Sequence, residues 1–170
     1  IEKFLALRYN ITQVIEQEKR INRQLTDRLT DLPNRAKLIE DLESNIYHGI
    51  SILNIDAFQE INDLYGQTIG DELLKSFAIY LSKNLTKENC RLYKLPADEF
   101  VIAASTSMEM EKYKKVIERL IKSFDRQIFY IDGNEITVSV TAGMSKNDYG
   151  INMLTNAEIA LKKAKIEKLP

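Results

Sequence analysis

Residues 94–100 read KLPADEF. Two adjacent acids, Asp98 and Glu99, stand behind a Pro96-Ala97 pair and ahead of Phe100, with RLY on one side and VIAA on the other. A polar tip between two such runs predicts a β-hairpin that presents two carboxylates. Taken alone, adjacent acids on a turn are solvated turn residues. Whether they serve chemistry depends on what the rest of the chain brings to them.

Working outward, GISILNIDAF (49–58) reads as a buried strand. TDLPNR (30–35) breaks the chain with an Asp, a Pro and an Asn, and a helix follows over about 34–46. Residues 70–84 form a helix with Leu73, Leu74, Phe77 and Leu81 near one face, and 109–124 form a second amphipathic helix. FYIDGNEITVSVTAG (129–143) reads as a hairpin turning at Asp132-Gly133-Asn134, and a helix over 151–167 closes the chain. This alternation predicts an α+β fold, an α/β sandwich with helices on both faces of the sheet. At the other end, FLALRYNIT (4–12) is β-prone. Ile11, Val14, Ile15, Ile21, Leu25 and Leu29 then mark an amphipathic helix over 11–29. Such a stripe packs on its own domain or joins two chains in a parallel coiled coil.

Composition narrows the partners. Lys and Arg number 24 against 25 Asp and Glu, a net charge of −1. No chain-wide basic field argues for nucleic acid or an anionic membrane surface, so an anionic ligand must be held locally. The one cysteine, Cys90, forms no intramolecular disulfide or multi-thiolate zinc site and reads as a small, half-buried apolar residue in a reducing compartment. The one histidine, His48, reads as a surface loop residue beside Gly49. No run approaches the ~18 apolar residues of a membrane span, and IEKFLALRYN lacks the shape of a signal peptide. A cytoplasmic segment without direct membrane contact is expected, with any anchor elsewhere in the full-length protein.

Five motifs line up in order: DRLTDLPNR (27–35), NIDAFQEINDLYGQTIGD (54–71), YKLPADEF (93–100), VTAG (140–143) and NAEIALKKAK (156–165). Together they resemble the GGDEF family of diguanylate cyclase domains over about 27–168. The resemblance implies a cyclase- and palm-like fold with a central, mostly antiparallel sheet wrapped by helices. Active members condense two GTP molecules into cyclic di-GMP, using two Mg²⁺ ions between two facing domains. FLALRYNIT resembles the last strand of a PAS sensor. Residues 1–10 are then the end of an upstream PAS domain, 11–29 a signalling helix and 30–170 the GGDEF domain. Related architectures commonly place an EAL phosphodiesterase downstream.

Residue by residue, the resemblance implies a site half kept and half eroded. The family's first metal-binding Asp is Asn54 here, an amide without charge; the next ligand is the backbone carbonyl of Ile55. Asp98 matches the acidic ligand of the signature loop and Glu99 the residue assigned to catalysis. Pro96 and Ala97 replace the two signature glycines. Proline removes an N–H that could meet a phosphate, and alanine adds a Cβ. Lys94 offers a cation ahead of the loop. Asn62 and Asp71 match the positions that read the guanine edge; their bland alternatives are a turn-capping Asn and a helix N-cap. Gln59 replaces a phosphate-facing Lys. Lys165 matches the phosphate-side Lys of the last helix, but Lys168-Leu169-Pro170 follow it in place of Gly-Arg-Asn. The product-inhibition Arg-x-x-Asp reads Lys87-Glu88-Asn89-Cys90, which argues against feedback binding there. Three functions follow as expectations: a catalytically inactive regulatory module with GTP as ligand and Mg²⁺ held weakly or not at all, an active cyclase, or a dimerisation domain.

Overall fold

The computed structural model describes residues 2–146 and 150–167. Helix α1 (Glu2–Leu25) leads into α2 (Arg35–Glu43), strand β1 (Tyr47–Ile55) and the paired helices α3 (Phe58–Tyr65) and α4 (Gln67–Leu85). Strands β2 (Cys90–Lys94) and β3 (Glu99–Ser105) follow, then α5 (Met110–Phe124), β4 (Phe129–Ile131), β5 (Asn134–Ile136), β6 (Val140–Lys146) and α6 (Ile151–Glu167). The main sheet has the order β2-β3-β1-β6 and is antiparallel throughout.

Strand β1 lies in the middle of that sheet and is buried along almost all of its length, which suits its run of Ile and Leu. Its side chains alternate between two cores. Leu53 and Ile55 join Leu73, Phe77, Leu120 and Phe124 beneath α4 and α5, while Ile50 and Ile52 join Leu38, Leu154 and Leu161 beneath α2 and α6. Phe77 stacks on Phe124 with ring centroids 4.8 Å apart. Helix α6 sits so close to β6 that a Cβ on Gly143 would lie 2.2 Å from Leu161 N and 2.4 Å from Ala157 O, so this strand position admits only glycine. The second core also holds a buried polar chain. Tyr47 and Tyr93 hydroxyls lie 2.7 Å apart, Tyr93 donates to Asp41 at 2.6 Å, and Lys37 and Arg91 flank that carboxylate at 3.0 and 3.1 Å.

Several expectations change. FLALRYNIT is helical, the first part of a continuous α1, not the expected strand. β-Propensity expresses itself only where a neighbouring strand and a pleated surface receive it, and among the described residues no strand pairs with this segment. The helix ends at Leu25 and not at 29, and its Leu7, Ile11, Val14 and Ile21 are all exposed, so it does not pack along its own domain. Residues 58–65 make a separate helix before Gly66 (φ 88°), and α4 starts at Gln67, where one helix over about 70–84 was expected. The 129–143 segment is divided: β4 and β5 turn at Asp132 (φ 46°) and Gly133 (φ 78°) as a two-stranded sheet, while Val140 onward leaves to pair with β1. His48 lies within β1, with its Nε2 buried and without a hydrogen-bond partner among the described residues. Cys90 is half-buried with Sγ 3.5 Å from Met108 Sδ, and burial pushes its thiol up to about 11.

Candidate functional site

The site gathers where β1 ends. Strand register sets Asn54 opposite Glu99 of β3 on one side and Thr141 of β6 on the other, so one residue joins the KLPADEF hairpin to the far edge of the sheet. Asn54 is buried, and its Nδ2–H donates to Asp98 Oδ2 at 2.9 Å. The opposite amide orientation would press an oxygen against the carboxylate. In the hairpin tip, Ala97 takes the left-handed conformation at φ 58°, a backbone shape that glycine adopts without strain. The Lys94 ammonium, almost wholly buried, donates to the carbonyls of Leu95 and Ala97 and ties the tip down from inside. Burial pushes this amine below its ordinary range, and the charges of Asp27, Asp98 and Glu99 oppose the shift.

Two depressions adjoin at this point. The first is lined by Asn54, Ile55, Gln59, Asn62, Asp71, Ala97 and Asp98, which unites most of the predicted site residues, and by Asp27, Glu60 and Lys94. The second carries Lys165 with Asp56 and Thr141 and shares Asn54 and Ala57 with the first. Lys165 therefore faces a different concavity from Asn62 and Asp71. Glu99 lines neither. Burial raises its carboxyl above the usual range, Asp98 adds to the rise and Lys165 opposes it. The Lys168-Leu169-Pro170 expectation lies outside the described residues.

Asn62 and Asp71 owe their position to the α3–Gly66–α4 turn, which folds the two helices against each other. Neither residue is a cap: Asn62 lies within α3 and Asp71 in the second turn of α4. Gly70 is the residue that sequence reasoning overlooked. A Cβ there would stand 1.8 Å from Asn62 Oδ1, so the bare backbone of Gly70 is the floor on which the Asn62 carboxamide rests. Its place beside Asp71 in the Gly-Asp pair was the available signal. Asp27 was also overlooked. Its carboxylate accepts from Thr30 N and Oγ1 at 2.9 and 2.7 Å, holds the DRLTDLPNR turn, and lines the first depression.

The carboxylates near Asn54 invite a comparison with Mg²⁺ chemistry. An amide N–H aimed at Asp98 stands where a cation's ligand set needs two oxygens, so this pair as arranged does not fit a divalent ion. Asp56 is also committed, accepting from Ser139 Oγ and Thr141 Oγ1 at 2.8 and 2.6 Å. Among the described residues no three acids, histidines or cysteines converge to hold an ion.

The antiparallel sheet flanked by helices, with an acidic hairpin meeting a strand end, is the arrangement of solved GGDEF cyclase structures. The family model "Diguanylate cyclase, GGDEF domain" matches residues 24–168, and the chain belongs to the GGDEF family. It is 31% identical over 159 residues to the diguanylate cyclase DgcP of Pseudomonas aeruginosa, covering 87% of this chain and 23% of that protein. It is 29% identical over 126 residues to the diguanylate cyclase DgcZ of Escherichia coli, covering 71% and 42%. The chain thus spans less than half the length of these curated relatives. Among solved structures, the coiled coil and GGDEF domain of DgcB from Caulobacter crescentus superposes with a TM-score of 0.83 at 15% identity, over 98% of this chain and 94% of that one. A diguanylate cyclase/phosphodiesterase from Caldicellulosiruptor saccharolyticus gives 0.74 at 25% identity, covering 85% and 88%. GGDEF domains are parts of cyclic di-GMP signalling proteins.

Proposed function

We propose that this domain is a catalytically inactive GGDEF module that binds a guanine nucleotide, GTP among them, and regulates a neighbouring output domain such as an EAL phosphodiesterase. The carrying observation is the Asn54–Asp98 hydrogen bond, which turns a family metal position into a closed amide–carboxylate pair. The strained Ala97 and the N–H-less Pro96 support it, because both alter the backbone that would approach a phosphate. Asn62, resting over Gly70, and Asp71 line one depression, which supports a retained base-reading half. Regulation is placed in α1. Leu7, Ile11, Val14, Ile21 and Leu25 follow heptad spacing with Glu18 at the one remaining seam position, a pattern suited to a parallel coiled coil with a second copy. Such a helix would join an upstream sensor to this domain.

The test is product formation. A dimeric sample incubated with GTP and Mg²⁺ or Mn²⁺ is expected to yield no cyclic di-GMP by mass spectrometry, and clear turnover sinks the reading. An active cyclase is the second reading, supported by the retention of Asp98 and Glu99 on the hairpin. In that case Asp98→Ala abolishes the product.

A further inference from the structure

Each group that could meet a phosphate in the first depression is already engaged or opposed. Gln59, at the place of a family lysine, donates its amide to Asp63 Oδ1 at 2.8 Å along α3. The Lys94 ammonium is spent on two carbonyls of its own loop, and Lys165 lines the neighbouring concavity. Glu60 lies in the first turn of α3, so the positive end of the helix meets an acid of its own. Asp98, the carboxylate of the hairpin tip, already accepts from Asn54 at its Oδ2.

The balance of charge points the same way. Four carboxylates, Asp27, Glu60, Asp71 and Asp98, line this depression against the single ammonium of Lys94. A triphosphate without a bound cation would enter a field of its own sign. A neutral purine meets no such cost. Its ring N–H and exocyclic amine are donors that carboxylates accept, and its carbonyl is an acceptor for a carboxamide N–H. Asp71 is exposed at the rim and the Asn62 carboxamide rests on Gly70 with no side-chain hydrogen bond among the described residues, so both are available to a base.

We propose that the depression binds its ligand through the guanine base alone, making the domain indifferent to the number of phosphates and to divalent cations. This rests on the guanine-reading function proposed above and narrows it. The domain then senses the total guanine nucleoside and nucleotide pool, where a cyclase selects the Mg²⁺-bound triphosphate. The Asn54 amide puts a neutral donor on Asp98 Oδ2 where the family has a second acid, and Gln59 leaves α3 without a charge for the phosphate.

The experiment is isothermal titration of the whole chain with guanosine, GMP, GDP and a nonhydrolysable GTP analogue, each in EDTA and in Mg²⁺. Dissociation constants agreeing within about threefold across all eight titrations are expected. GTP analogue binding more than about tenfold tighter than guanosine in Mg²⁺ overturns the proposal while leaving guanine recognition intact. No binding by any of the four compounds, or equal binding of adenosine, overturns both. The double variant Asn54→Asp with Gln59→Lys should gain at least about a tenfold preference for the GTP analogue in Mg²⁺. A folded double variant that remains indifferent removes these two positions as the cause and refutes the argument. Should the buried Asn54→Asp change prevent folding, Gln59→Lys alone, on an exposed face of α3, is expected to favour GTP over guanosine in EDTA.

Discussion

Substitution of Gly70 by alanine separates the stability of this domain from its ligand binding. The added Cβ would lie 1.8 Å from Asn62 Oδ1 and 3.0 Å from Asn62 Cγ, well inside the 3.4 Å at which ordinary contact begins. The Oδ1 must therefore retreat by about 1.6 Å, from 1.8 Å to the 3.4 Å of ordinary contact. Asn62 is half-exposed on α3 and can swing toward solvent without breaking another side-chain bond among the described residues. Phe58 Cζ, at 3.3 Å from the new carbon, yields by a few tenths of an ångström. Meanwhile glycine inside α4 gives way to the best helix former, a gain of roughly 0.5–1 kcal/mol. Stability should hold or rise slightly. Losing the carboxamide from the base edge should cost about 1–3 kcal/mol, which is roughly 5- to 150-fold in guanosine affinity. Urea unfolding and calorimetric titration on one preparation measure both quantities. Unchanged guanosine affinity in a folded variant, or a stability loss above about 1 kcal/mol, refutes the assignment of Gly70 as the floor beneath Asn62.

Other perturbations test the frame around the site. Ala97→Gly relieves a left-handed strain of about 1–2 kcal/mol at φ 58° and returns part of it through the looser unfolded chain, so a net gain of roughly 0.5 kcal/mol is expected in urea unfolding. Gly143→Ala drives a Cβ into the backbone of α6 at Leu161 and Ala157, and should destabilise by at least about 3 kcal/mol; a smaller loss would show that α6 slides freely on the sheet. Burial pushes the Asp41 carboxyl up, yet the Tyr93 hydroxyl, Lys37 and Arg91 outweigh it and hold the group below the usual carboxylate range. Its stabilising contribution is present above the unfolded pKa and is lost as pH falls through the folded one. Tyr93→Phe should thus cost about 1–3 kcal/mol at neutral pH, and this cost should shrink across that acid window when unfolding is followed against pH.

The hydrophobic pattern was enough to locate β1, α4, α5, α6 and the KLPADEF hairpin, because period-2 and period-3.6 burial are local consequences of backbone geometry. The motif order was enough to single out Asn54, Asn62, Asp71 and Asp98, which the fold brings to the lining of one depression. What the chain does at 4–12 was not legible: FLALRYNIT has strand composition, yet it continues the helix α1, and β-propensity depends on context. Nor was the parting of β6 from the β4–β5 hairpin legible, because pairing with β1 is a long-range contact with no signature in 129–143. The same holds for the chemistry. Sequence alone set an amide at 54 and a carboxylate at 98, but they stand 44 positions apart, and only the β1–β3 register brings them to 2.9 Å and joins the substituted Asn54 to the retained Asp98.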